Sequence, residues 1–86
     1  MEEITLQIGQ KYKLKGNFLT SNYNVVYTGM PNDNTFSLAI IFSEGYQALS
    51  YNLYFPLNQR NIEIDHGSIQ VLHVNDESIR CKITKT

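Results

Sequence analysis

His66, His73 and Cys81, with Asp65 and Asp76 beside them, are the residues of this sequence whose types could hold a metal ion. Zinc and similar ions need three or four such side chains converging on one point, usually at short fixed spacings. Here there is no Cys-x-x-Cys, no His-x-x-x-His and no second cysteine. With Leu72 set against Cys81 across a turn, His73 falls on the opposite side of the sheet from that thiol. The expectation is no metal site and no cofactor.

Cys81 is also the candidate nucleophile, with either histidine as base. Thiolate catalysis requires a lowered thiol pKa and a base within hydrogen-bond reach. Ile79, Cys81 and Ile83 alternate with polar residues, which sets the thiol on an apolar strand face. Glu63 and Asp65 could do paired acid–base work, but they alternate with Ile62 and Ile64 and so point into water. No glycine-rich phosphate loop and no GxSxG elbow is present. The sequence predicts a protein that is not an enzyme.

Two surface patterns remain. Lys11, Lys13 and Lys15 share one strand face, as do Arg80 and Lys82, with Lys85 close behind. Were those two strands neighbours, they would form a basic patch beside Tyr23, Tyr27, Tyr46 and Tyr54, a stacking platform for single-stranded nucleic acid. Lysine on an exposed strand also guards against edge-to-edge aggregation, which is the plainer reading. The second pattern is Tyr46, Ala48, Ser50, Asn52 and Tyr54, a small, uncharged face flanked by two tyrosines. Tyrosine offers contact area at little entropic cost, together with a polar handle, and suits protein docking or self-association. The alternative is that these tyrosines cover the rim of a second layer of the same domain.

The elements that carry these residues are strands. No period of 3.6 persists long enough for a helix, whereas period-two alternation recurs between Gly, Pro, Asn and Asp clusters. Ile4, Leu6 and Ile8 form one run, Tyr12 and Leu14 a second, and Val25 to Thr28 a third. Phe18 to Asn24 reads as a loop, and Gly29 to Asn34 as a turn, with Pro31 in that turn or on a sheet edge. Phe36, Leu38, Ile40 and Phe42 face Leu49, Tyr51, Leu53 and Phe55 across a two-residue turn at Glu44-Gly45. This pairs Ile40 with Leu49 and Leu38 with Tyr51, and all eight side chains are expected in the interior. Ile62 and Ile64 then meet Ile69 and Val71 across His66-Gly67. Val74 and Leu72 meet Ile79 and Cys81 across Asn75 to Ser78. Val71 and Leu72 cannot share a pleat face, so a bulge or corner is expected there, the alternative being a strand buried on both sides. The result is an all-β chain, a single domain over residues 1–86: an antiparallel meander of about seven or eight short strands. It closes either as a barrel of SH3 or OB size or as a two-layer sandwich.

Composition sets the remaining bounds. The 86 residues are 42% hydrophobic and 17% charged, with a formal net charge of −1, so no overall field draws the chain to nucleic acid or an anionic membrane. No apolar run approaches the ~18 residues of a membrane span, no secretory signal is visible, and a single cysteine excludes an internal disulfide. A cytoplasmic location is expected. Asn, Ile and Tyr, whose codons are AT-rich, are abundant, which fits a low-GC bacterium or one of its phages. The functional expectation is a non-enzymatic binding module whose partner is another protein or a second copy. The alternative is a nucleic-acid-binding small barrel using Lys11, Lys13, Lys15, Arg80 and Lys82. A small-ligand or carbohydrate carrier ranks third.

Overall fold

Period-two alternation puts successive side chains on opposite faces of a strand, so each apolar run here has one face to bury. The computed structural model describes residues 2–16, 21–44 and 47–85. Among them the runs form eight strands: β1 (Glu2–Gln7), β2 (Lys11–Gly16), β3 (Ser21–Asn32), β4 (Thr35–Glu44), β5 (Gln47–Pro56), β6 (Asn61–Ile64), β7 (Gly67–Val74) and β8 (Ser78–Lys85). They pair antiparallel in two four-stranded sheets, ordered β1-β8-β7-β6 and β2-β3-β4-β5. The sheets do not close into a barrel. They lie face to face as a sandwich, with one core between them. No helix among the described residues is long and apolar enough to cross a membrane.

The core is filled from both inner faces. Val25, Tyr27, Phe36, Leu38 and Ile40 come from one sheet and Ile62, Ile69, Val71, Ile79, Cys81 and Ile83 from the other, all buried. The Tyr27 hydroxyl satisfies itself across the sandwich by donating to the Asn75 carbonyl. Gly67 allows close packing at the start of β7, where an added Cβ would stand 2.9 Å from the Thr84 carbonyl oxygen of the neighbouring strand and 3.3 Å from the Leu14 side chain of the other sheet.

The short connections fix which edges face each other. The turn from β1 to β2 is held to its own sheet by the Ile8 N–H to the Glu77 carbonyl (3.2 Å) and tied across the sandwich by the Gly9 N–H to the Tyr27 carbonyl (2.9 Å). Below it, Tyr12 of β2 donates its hydroxyl to the Glu2 carboxylate, and the Lys85 ammonium sits 5.2 Å from the Tyr12 ring centre. The β1/β2 side is therefore latched. On the other side the chain passes from β5 to β6 through residues 57–60, and the Val71 N–H reaches the Arg60 carbonyl at 2.7 Å.

Several local expectations are corrected. The strand expected to start at Val25 starts at Ser21, because Tyr23 buries in the core and stacks on Phe42 (ring centres 6.1 Å apart), which carries Asn22 and Asn24 into the ladder. Pro31 lies in the irregular end of β3, beyond the residues that pair with β2, so of its two expected places it takes the edge and not the turn. Ile8 is exposed, outside β1.

Both hairpin registers differ from expectation by two residues. Phe36 pairs with Phe55, Leu38 with Leu53, Ile40 with Tyr51 and Phe42 with Leu49, and Glu44, expected in the turn, pairs with Gln47; Gly45 lies outside the described residues. Ile62 pairs with Ile69 and Ile64 with Gly67, so that turn is Asp65-His66, with His66 and not Gly67 at positive φ (68°). A two-residue slip leaves every side chain on its expected face. The β7 bulge is present: Val71 pairs with Cys81 and His73 with Arg80, leaving Leu72 as the extra residue.

Candidate functional site

The chemistry-bearing residues are not brought together. Cys81 is 1% exposed, and burial pushes its thiol up to about 11, the opposite of activation. His73 stands exposed opposite Arg80, on the outer face of its sheet, while Cys81 points inward. His66, at its turn, sets its ring edge-on to Tyr23 with centres 5.0 Å apart. Glu63 and Asp65 are exposed. Among the described residues no group of three or more His, Cys, Asp or Glu is placed to hold a metal ion.

The basic residues divide between the two outer faces. Lys11 pairs with Val26 and Lys13 with Asn24, whose side chains alternate with the inward Val25 and Tyr27, so the two lysines point away from the core on the β2-β3-β4-β5 sheet. Arg80 and Lys82 alternate with Ile79, Cys81 and Ile83 and point away on the opposite sheet, where Lys82 lies directly across from Glu3. The condition that would have made one basic patch, β2 beside β8, does not hold. Of the tyrosines named for stacking, Tyr23 and Tyr27 are buried, and burial raises both phenols above the ordinary value. Lys15 lies on β2, but its side chain, with that of Ala48 and the whole of Tyr46, falls outside the described residues.

The outer face of the β2-β3-β4-β5 sheet runs from lysines on β2 to small polar residues on β5. One row reads Lys11, Val26, Ala39, Asn52, and the next Lys13, Asn24, Ile41, Ser50. The core lies on the other side of this sheet, and Ser50, Asn52 and Tyr54 are exposed, Tyr54 by 62%. Ser37 beneath them is buried and satisfied, within 2.6 Å of the Thr28 hydroxyl and donating to the Gly29 carbonyl at 3.2 Å. Tyr54 therefore does not cap a second layer.

Sequence reasoning missed the other side of β5. Leu49 and Tyr51 belong to the inner face, yet they are 54% and 43% exposed, which corrects the expectation that all eight hairpin side chains are interior. The cause is a length mismatch: β5 has ten residues and β6 four. An aromatic path leads outward from His66 through Tyr23 and Phe42 to Tyr51, the last two ring centres 6.2 Å apart at 75°. The Tyr23 hydroxyl is buried along it with no hydrogen-bond partner among the described residues. The signal was in the sequence, where only Ile62 and Ile64 precede the turn while four apolar residues alternate through Leu49–Phe55.

β5 is thus an edge strand exposed on both faces. Of the 22 residues from Thr35 to Pro56, only Glu44 is charged. Comparison of the chain with protein-family models, curated proteins and solved structures finds no match.

Proposed function

We propose that this chain is a non-catalytic protein-binding module that docks its partner on β5, through Tyr46, Ala48, Ser50, Asn52 and Tyr54. One observation carries the reading: β5 is a ten-residue sheet edge without a charged residue, with Tyr54 exposed on one face and Leu49 and Tyr51 on the other. A long, uncharged, partly apolar edge presents a row of unpaired N–H and C=O groups, which an extended segment can complete as an added strand. Small side chains on the outer face let a partner approach the backbone closely. Leu49, Tyr51 and Tyr54 supply apolar area and hydroxyl handles. The single cysteine, buried as a thiol, fits a reducing cytoplasmic setting.

The double variant Ala48→Glu/Ser50→Glu tests this. A carboxylate at the exposed Ser50, with a second at Ala48, should leave thermal unfolding within a few degrees of the parent while abolishing capture of proteins from a host lysate by the immobilised chain. Capture that survives the double variant would remove β5 as the docking element.

A further inference from the structure

The partner that β5 suits best is another β5. Resting on the docking reading above, we propose that the chain self-associates through antiparallel pairing of β5 with β5 of a second copy about a two-fold axis. The two four-stranded sheets then become one continuous eight-stranded sheet.

Symmetry constrains the pairing first. In a two-fold strand pair the numbers of facing residues sum to an even value, and directly facing residues share a pleat face. Odd-numbered positions therefore meet odd-numbered ones without any further requirement on the sequence. In β5 the odd positions are the apolar set Leu49, Tyr51, Leu53 and Phe55, and the even ones include Ser50, Asn52 and Tyr54. Apolar meets apolar and polar meets polar in any such register.

The terminus then selects among registers. Pro56 ends the strand and has no N–H to give. An axis through Tyr51 pairs residues 47–55 and leaves Pro56 outside the ladder. Leu49 then faces Leu53 of the second copy, Ser50 faces Asn52, and the two Tyr51 rings meet on the axis. An axis one residue later brings Pro56 into the pairing.

Charge supports the same occupant. A second β5 brings no charged side chain to an edge that has none to offer in return, and the net charge of −1 gives two copies little repulsion. The other edges of the molecule are guarded. β2 carries Lys11, Lys13 and Lys15 and an irregular register, β1 carries Glu2 and Glu3, and β6 is four residues long with Glu63 at its centre. Among the edge strands of the described residues, β5 alone is both long and uncharged. A single strand-on-strand contact is smaller than the ~1,200 Å² of a stable specific interface, so the association is reversible and depends on concentration.

Two experiments on the purified full chain test the pairing. Sedimentation equilibrium from about 10 to about 500 µM should show a monomer–dimer equilibrium. Tyr51→Lys, which sets two ammonium groups face to face, should weaken it at least about tenfold. Because Tyr51 is already 43% exposed, the fold should tolerate lysine. Leu49→Lys is the second variant, placed off the axis.

The axis itself is read by cysteine. Tyr51→Cys should form an intermolecular disulfide under mild oxidation, since facing residues near the axis approach within disulfide range and Cys81 is buried. Lys13→Cys on the opposite edge should not. A wild-type chain that stays monomeric throughout the range, with no cross-link from Tyr51→Cys, overturns self-pairing. In that event, lysate capture abolished by Ala48→Glu/Ser50→Glu would keep the protein-binding reading standing on its own, and the absence of such capture would end both.

Discussion

β2 and β5 are the two edges of one sheet, and they are finished in opposite ways. β2 is six residues long, carries three lysines, has a bulge between Lys13 and Lys15, and is latched to the other sheet through Tyr12, Glu2 and Lys85. β5 is ten residues long and uncharged, and the strand at the facing edge is too short to cover it. An exposed edge is a liability that folds ordinarily suppress by charge, bulge or brevity, and β2 shows that this chain has such devices. Their absence from β5 is the contrast on which the proposal of binding at β5 rests.

The comparison is tested most strongly by one residue type at both edges. Leu14, 5% exposed on β2, and Leu49, 54% exposed on β5, both point to the inner side of the sheet. Leu14→Ala should cost about 2–5 kcal/mol in urea denaturation, because it removes buried methyl groups and leaves a cavity. Leu49→Ala should cost under about 1 kcal/mol at protein concentrations where the chain is monomeric. Equal losses would mean that both edges are sealed.

An intermediate effect follows from the latch. Burial first, and then the Glu2 carboxylate, raise the Tyr12 phenol to about 12, and burial raises Tyr23 and Tyr27 as well as Cys81. A raised acidic group keeps its proton in the folded chain at a pH where the unfolded chain has lost it, so its contribution is complete below the unfolded pKa and disappears above it. Stability should hold to about pH 9, then fall as pH rises through 10 and beyond, as followed by circular dichroism. Tyr12→Phe should remove part of that fall and cost about 1 kcal/mol at neutral pH.

The smallest effect concerns the guard itself. Lys13→Val should leave folding stability within about 0.5 kcal/mol, yet light scattering should show faster aggregation on concentration. Unchanged solubility would remove the protective reading of the lysine stripe.

These contrasts also show what could be read from the residues. Period two placed Phe36, Leu38, Ile40, Ile79, Cys81 and Ile83 inside, and the adjacency of Val71 and Leu72 pointed to a bulge or to a strand buried on both sides, because pleat parity is a local property of the chain. Hairpin register was not local. Asp65-His66 forms the turn with His66 at positive φ, although Gly67 stands next to it and would adopt that conformation at less cost. Gly67 is instead taken by close packing against Thr84. Exposure of Leu49 and Tyr51 was less legible still, since it depends on where β6, in the other sheet, stops. The separation of Lys11 and Lys13 from Arg80 and Lys82 likewise depends on strand order, on which alternation is silent.

Amide hydrogen exchange at two protein concentrations measures the difference between the edges directly. If β5 pairs with a second copy, the outward amides between Leu49 and Leu53 should exchange more slowly at about 500 µM than at about 10 µM, while those of Lys11 to Lys13 keep one rate at both. Concentration-independent exchange along β5, or slowing at β2 in its place, would contradict the account.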